Sequence, residues 1–127
     1  MLHADFDWKS PDYAKAFRQR MAFLRELRAH PEDLAALKTY YANNYADFIS
    51  DWGVTYEPRN AEKKLPTLIP FVLFPKQREW VDWVIGHWRA GTPGLTEKSR
   101  DMGVSWLMMA LSCTMCLFND GVAIGVG

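Results

Sequence analysis

The residues best suited to chemistry form an octet, Lys98, Ser99, Arg100, Asp101, Met102, Gly103, Val104 and Ser105, between a predicted strand and a predicted helix. A phosphate-binding loop of the form G-x-x-x-x-G-K-[ST] occupies that setting. Gly103 matches the second glycine, and Ser105 matches the hydroxyl that ligates Mg²⁺. Two positions depart: Lys98 stands where the first glycine is expected and Val104 where the lysine is expected. A phosphate site needs free N–H groups at a helix start, a residue that lets the anion approach the backbone, and a cation. The helix after the loop supplies the amides and Gly103 the approach. Lys98 can bring its ammonium over the β- and γ-phosphates from the opposite side on a four-carbon stem. Arg100 is a second cation, able to follow charge developing on the γ-phosphate. The same octet also reads as a basic strand-to-helix turn with solvated Lys and Arg.

A second segment bears on that choice. Phe74-Pro75-Lys76-Gln77-Arg78-Glu79-Trp80 opens a predicted helix, and Gln77 precedes Lys98 by 21 residues. A glutamine amide donates to and accepts from one adenine edge at once, and an aromatic or proline beside it can cover the ring face. Alone, Gln77 reads as an exposed first-turn residue. Paired with the octet, it points to a nucleotide.

Together these segments resemble the large terminase subunit of tailed bacteriophages, the ATP-driven motor that packages DNA. That family carries a Phe/Leu-x-x-Gln motif near a helix start, then a phosphate loop whose lysine is often moved to the first position, as in Lys98–Ser105. The stretch from Tyr45 to Trp52 and the run Tyr56-Glu57-Pro58-Arg59 also resemble its lead-in. The likeness covers roughly residues 40–127. It implies an ASCE-type P-loop ATPase core that binds ATP and Mg²⁺. Gln77 would lie at adenine, Lys98 and the loop amides at the phosphates, Ser105 at Mg²⁺, and Arg100 would sense the γ-phosphate. The implied partners are double-stranded DNA, the small terminase subunit and the portal protein, on which such motors form homo-oligomers. The family's strand ending in Asp-Glu, its coupling motif and its nuclease domain have no counterpart here. The chain is therefore expected to be a truncated first part of such a motor, carrying the adenine and phosphate motifs without hydrolysing ATP unaided.

The elements that must position these residues follow from periodicity and punctuation. Ser10-Pro11-Asp12 marks a helix start, and Tyr13, Ala16, Phe17, Met21, Leu24 and Leu27 recur on one face. His30-Pro31 ends that helix. A second apolar series runs from Leu34 to Trp52, with a break at Asn43-Asn44. Residues 1–65 thus read as a helical arm and connector. Residues 66–127 read as the first part of the ATPase domain: an edge strand over Leu68–Phe74 interrupted by Pro70, a helix from Pro75, a turn at Gly91–Gly94, a helix over about Val104–Phe118, and a terminal strand after Asn119-Asp120-Gly121. The order strand, helix, strand predicts a parallel βαβ unit, hence an α/β fold.

Composition excludes several other classes. The chain has 127 residues, 15 Lys plus Arg against 15 Asp plus Glu, 49% hydrophobic and 14% aromatic residues. Zero net charge argues against a polybasic nucleic-acid binder, and the apolar content against disorder. Two cysteines make no disulfide scaffold, and the N-terminus lacks a signal peptide's basic flank and apolar run. A soluble protein is expected, and the terminase resemblance implies the host cytoplasm. Val104–Phe118 carries no charge but spans only about 22 Å, against about 30 Å of bilayer hydrocarbon, so it reads as a helix buried against a sheet. Cys113 and Cys116 fall deep in that helix and read as core residues rather than a redox pair. The three histidines are too scattered for a metal site. Two rival functions remain: a helicase-like P-loop ATPase, and a non-catalytic helical interaction module.

Overall fold

The computed structural model describes residues 1–100 and 102–127. Among them, five α-helices and two short strands follow in the order α1 (Tyr13–Ala29), α2 (Leu34–Asn43), α3 (Tyr45–Trp52), β1 (Val54–Tyr56), β2 (Leu68–Pro70), α4 (Pro75–Ala90) and α5 (Val104–Phe118), with 3-10 turns at Pro31–Asp33 and Pro58–Ala61. Local chemistry sets most of these ends. Asp12, rather than Ser10, caps α1, its carboxylate accepting from the Lys15 N–H at 2.8 Å. Asn44 separates α2 from α3. Pro75 occupies the first turn of α4, where its missing N–H costs nothing, and Gly91 ends that helix in the left-handed conformation.

Short, amphipathic α3 is the hub of the core. Tyr45, Ala46 and Ile49 on one side pack with Phe71 and Leu73 of the segment after β2, Val81 and Ile85 of α4, and Leu107, Leu111 and Met115 of α5. Gly53 lets the chain turn sharply off α3, because a Cβ there would collide with the Ile49 carbonyl oxygen. The turn sends β1 antiparallel to β2, pairing Val54 with Pro70, Thr55 with Ile69 and Tyr56 with Leu68.

This sheet differs from the expected one. Among the described residues it has two strands, both antiparallel, and no parallel pair. The run Leu68–Phe74 contributes a strand only as far as Pro70, and residues 122–127 form no strand. The predicted βαβ unit is therefore not formed, and the described architecture is mostly helical. Helix α5 differs too: it packs on α3 through Leu107, Leu111, Thr114 and Met115 rather than against a sheet. Its outer face, with Trp106, Met109, Cys113 and Cys116, is exposed. The two cysteines are surface thiols rather than core residues. Among the described residues no helix is long and apolar enough to cross a membrane.

The other side of α3 is polar and equally closed, burying Asp47, Ser50 and Asp51. Each has partners. Asp51 accepts from the Leu2 N–H at 2.7 Å and the Tyr41 hydroxyl at 2.9 Å. Ser50 Oγ accepts from the Leu73 N–H and from Arg78, both at 3.2 Å. Asp47 pairs with Arg78 and accepts from the Tyr40 hydroxyl. Arg20 of α1, only 5% exposed, donates to the carbonyls of Ser50 and Gly53 at 3.1 and 2.9 Å and to His3 Nε2 at 3.3 Å. A guanidinium has only donors, so His3 Nε2 accepts and its Nδ1–H donates to Gln19 Oε1 at 3.0 Å. The first residues of the chain are thereby strapped across α1 and α3.

Candidate functional site

Gln77 sits in the first turn of α4, with Pro75 fixing the backbone ahead of it. Its side chain is only 8% exposed and fully oriented. Oε1 accepts from the Phe74 N–H at 3.3 Å, and Nε2 donates to the Met102 carbonyl at 3.5 Å, a long bond. An amide carries two donors and two acceptor lone pairs, so one of each remains for a ligand. The next residue, Arg78, locks this turn onto α3 through Asp47 and Ser50.

Met102 leads directly into Gly103, the residue before α5, which has φ +70°. That left-handed conformation favours glycine, and a Cβ at Gly103 would lie 3.3 Å from Gln77 Nε2. The first-turn amides of α5 lack earlier carbonyl partners, as at every helix start, and no acidic residue stands in that turn. The start of α5 therefore favours an anion.

A cleft of about 720 Å³ joins these pieces. Gln77, Lys98, Met102, Gly103, Val104 and Ser105 all line it, so the structure brings together most of the residues singled out from sequence. Ser99 and Arg100 are exposed and lie outside the lining. Asp101 lies outside the described residues. Lys98 lies on no strand: residues 92–99 run irregularly along the surface. They are tied to α4 by the Thr92 N–H, which donates to the His87 carbonyl at 3.0 Å, and by the Trp80 indole, which donates to Thr96 Oγ1 at 2.9 Å.

Further lining comes from residues that spacing did not point to: Phe6 and Trp8 from the N-terminal strap, and Tyr56, Glu57 and Arg59 from the end of β1 and the turn after it. Arg59 grips Glu57 through Nε and Nη2 at 2.9 and 3.1 Å, which holds the Glu57 carboxyl below its ordinary range. The Tyr56–Arg59 run stood out only through family likeness. Trp8 gave no local signal, because its hydrogen-bond partner Val72 and the cleft residues Gln77, Lys98 and Ser105 lie far from it in sequence.

The donor set suits a nucleotide better than a bare metal. No group of three or more His, Cys, Asp or Glu suited to a metal ion occurs among the described residues. Ser105 offers one hydroxyl in the cleft. A magnesium ion here would thus take most of its ligands from phosphates and water, as Mg²⁺ commonly does. Comparisons with protein-family models, with curated proteins and with solved structures found no match to this chain.

Proposed function

We propose that this chain is the nucleotide-binding, N-terminal part of an ATP-driven DNA-packaging motor of the large terminase type. Gln77 reads the adenine edge with its remaining donor and acceptor. Lys98 and the amides of Val104 and Ser105 hold the phosphates, and the Ser105 hydroxyl faces Mg²⁺. Arg100 serves as the γ-phosphate sensor by swinging in from its exposed position. The observation that carries the reading is that one cleft gathers Gln77, Lys98 and Met102–Ser105, with the Gln77 amide reaching the Met102 carbonyl. In the intact motor the partners are double-stranded DNA, the small terminase subunit and the portal, and the setting is the host cytoplasm. A P-loop core is part of this proposal; the two-stranded antiparallel sheet does not by itself supply one.

Calorimetric titration of the full chain with Mg-ATP and with Mg-tripolyphosphate tests the reading. Gln77→Ala is expected to weaken ATP about tenfold and leave tripolyphosphate unchanged, while Lys98→Ala weakens both. A folded chain that takes up no Mg-ATP at millimolar concentration contradicts it. That result selects the interaction-module reading, which the mostly helical architecture and the outward apolar face of α5 favour.

A further inference from the structure

We infer that Trp8, carried by the N-terminal strap, is the platform on which the base of the nucleotide stacks. This rests on the nucleotide reading of the cleft and adds the residue that would hold the ring. Base recognition needs both an edge contact and a face contact. Gln77 supplies only the edge, and stacking on aromatic side chains is the sequence-tolerant way to hold a heterocycle.

Three observations single out Trp8. It lines the same cleft as Gln77, Lys98 and Ser105. It keeps 46% of its surface exposed, although indole is the largest apolar side chain. It is held at two places: Nε1–H donates to the Val72 carbonyl at 2.9 Å, and Phe6 packs edge-on with centroids 5.8 Å apart and planes at 72°. A ring fixed this way loses little freedom when a ligand covers it. The strap carrying it is part of the fold, since Leu2 binds Asp51 and His3 is buried against Arg20. Tyr56 of β1 and Trp106 at the start of α5 also line the cleft and are half exposed, so they are the competing platforms; the anchored ring is what favours Trp8.

The test compares binding of Mg-ATP and Mg-tripolyphosphate to the wild-type chain, Trp8→Ala, Trp8→Phe, Tyr56→Ala and Trp106→Ala. Trp8→Ala is expected to weaken ATP by about five- to a hundredfold, the range for losing one base-stacking side chain. Tripolyphosphate, which has no ring, should bind Trp8→Ala within twofold of wild type, and Trp8→Phe should keep most of the ATP affinity. Wild-type affinity for ATP in Trp8→Ala overturns this inference while leaving the nucleotide reading intact. So does an equal loss of tripolyphosphate, an equal loss in Trp8→Phe, or a selective ATP loss confined to Tyr56→Ala or to Trp106→Ala. A wild-type chain that binds neither ligand overturns both.

Discussion

Replacing Arg20 by methionine removes every donor of the guanidinium while keeping most of the side-chain length. Three acceptors lose their partner: the carbonyls of Ser50 and Gly53, and His3 Nε2. A hydrogen bond from a charged donor contributes about 1.5–3 kcal/mol, so three contribute roughly 6 kcal/mol. Keeping the charge out of water has a cost. Burial pulls the Arg20 guanidinium from 12.5 to about 10, with Asp51 acting weakly the other way. The net hydrogen-bond figure already includes that cost, which places the sum toward the low end of its range. Arg20→Met is therefore expected to destabilise the fold by about 4 kcal/mol, a sizeable part of the 5–15 kcal/mol typical of a domain. Urea unfolding followed by circular dichroism, at pH 7 and constant salt, measures it. An Arg20→Met chain within 0.5 kcal/mol of wild type would refute the view that this network ties the strap to α3. Because the strap carries Trp8, the same variant should also bind ATP less tightly.

Three further outcomes follow from the geometry. Gly103→Ala should cost about 1–2 kcal/mol for a non-glycine residue in the left-handed region, and its Cβ should crowd Gln77 Nε2; urea unfolding with and without Mg-ATP reads both effects. Burial alone would raise the Asp47 carboxyl, but hydrogen bonds from Tyr40 and Arg78 outweigh it and the net shift is downward. A carboxyl lowered in the fold stabilises above its unfolded pKa, and that contribution is lost as pH falls through the folded value. The urea midpoint of the wild type should therefore drop below about pH 4, and Asp47→Asn should lose part of that drop; identical slopes contradict it. Cys113 and Cys116 should both react with a thiol reagent in the native chain, whereas protection of either means that the outer face of α5 is covered.

What could be read from sequence was what depends on near neighbours. Pro75, Asn44 and the glycines at 91 and 103 punctuate the chain locally, so the ends of α3, α4 and α5 were legible. Partner choice was not. The apolar run Leu68–Phe74 suits a strand, yet its neighbour is set by the turn at Gly53 and the connector that brings β1 alongside. The uncharged composition of α5 suggested burial against a sheet, but the helix packs on α3 through its Leu107–Leu111–Met115 side. Gln77, Lys98 and Ser105 were legible as candidates because their types stand at the spacing of a nucleotide motif. Trp8 was not, because its hydrogen-bond partner Val72 is 64 positions away.

The cleft between the starts of α4 and α5 is proposed to hold a nucleotide, and where Mg-ATP lands on the chain decides this. In amide spectra of the ¹⁵N-labelled full chain titrated with Mg-ATP, the Gln77 side-chain NH₂, the Trp8 indole N–H and the backbone N–H groups of Gly103, Val104 and Ser105 should shift together, with one saturation curve. A spectrum that stays unchanged, or shifts confined to α1 or to the part of α5 beyond Trp106, rules out a nucleotide in this cleft.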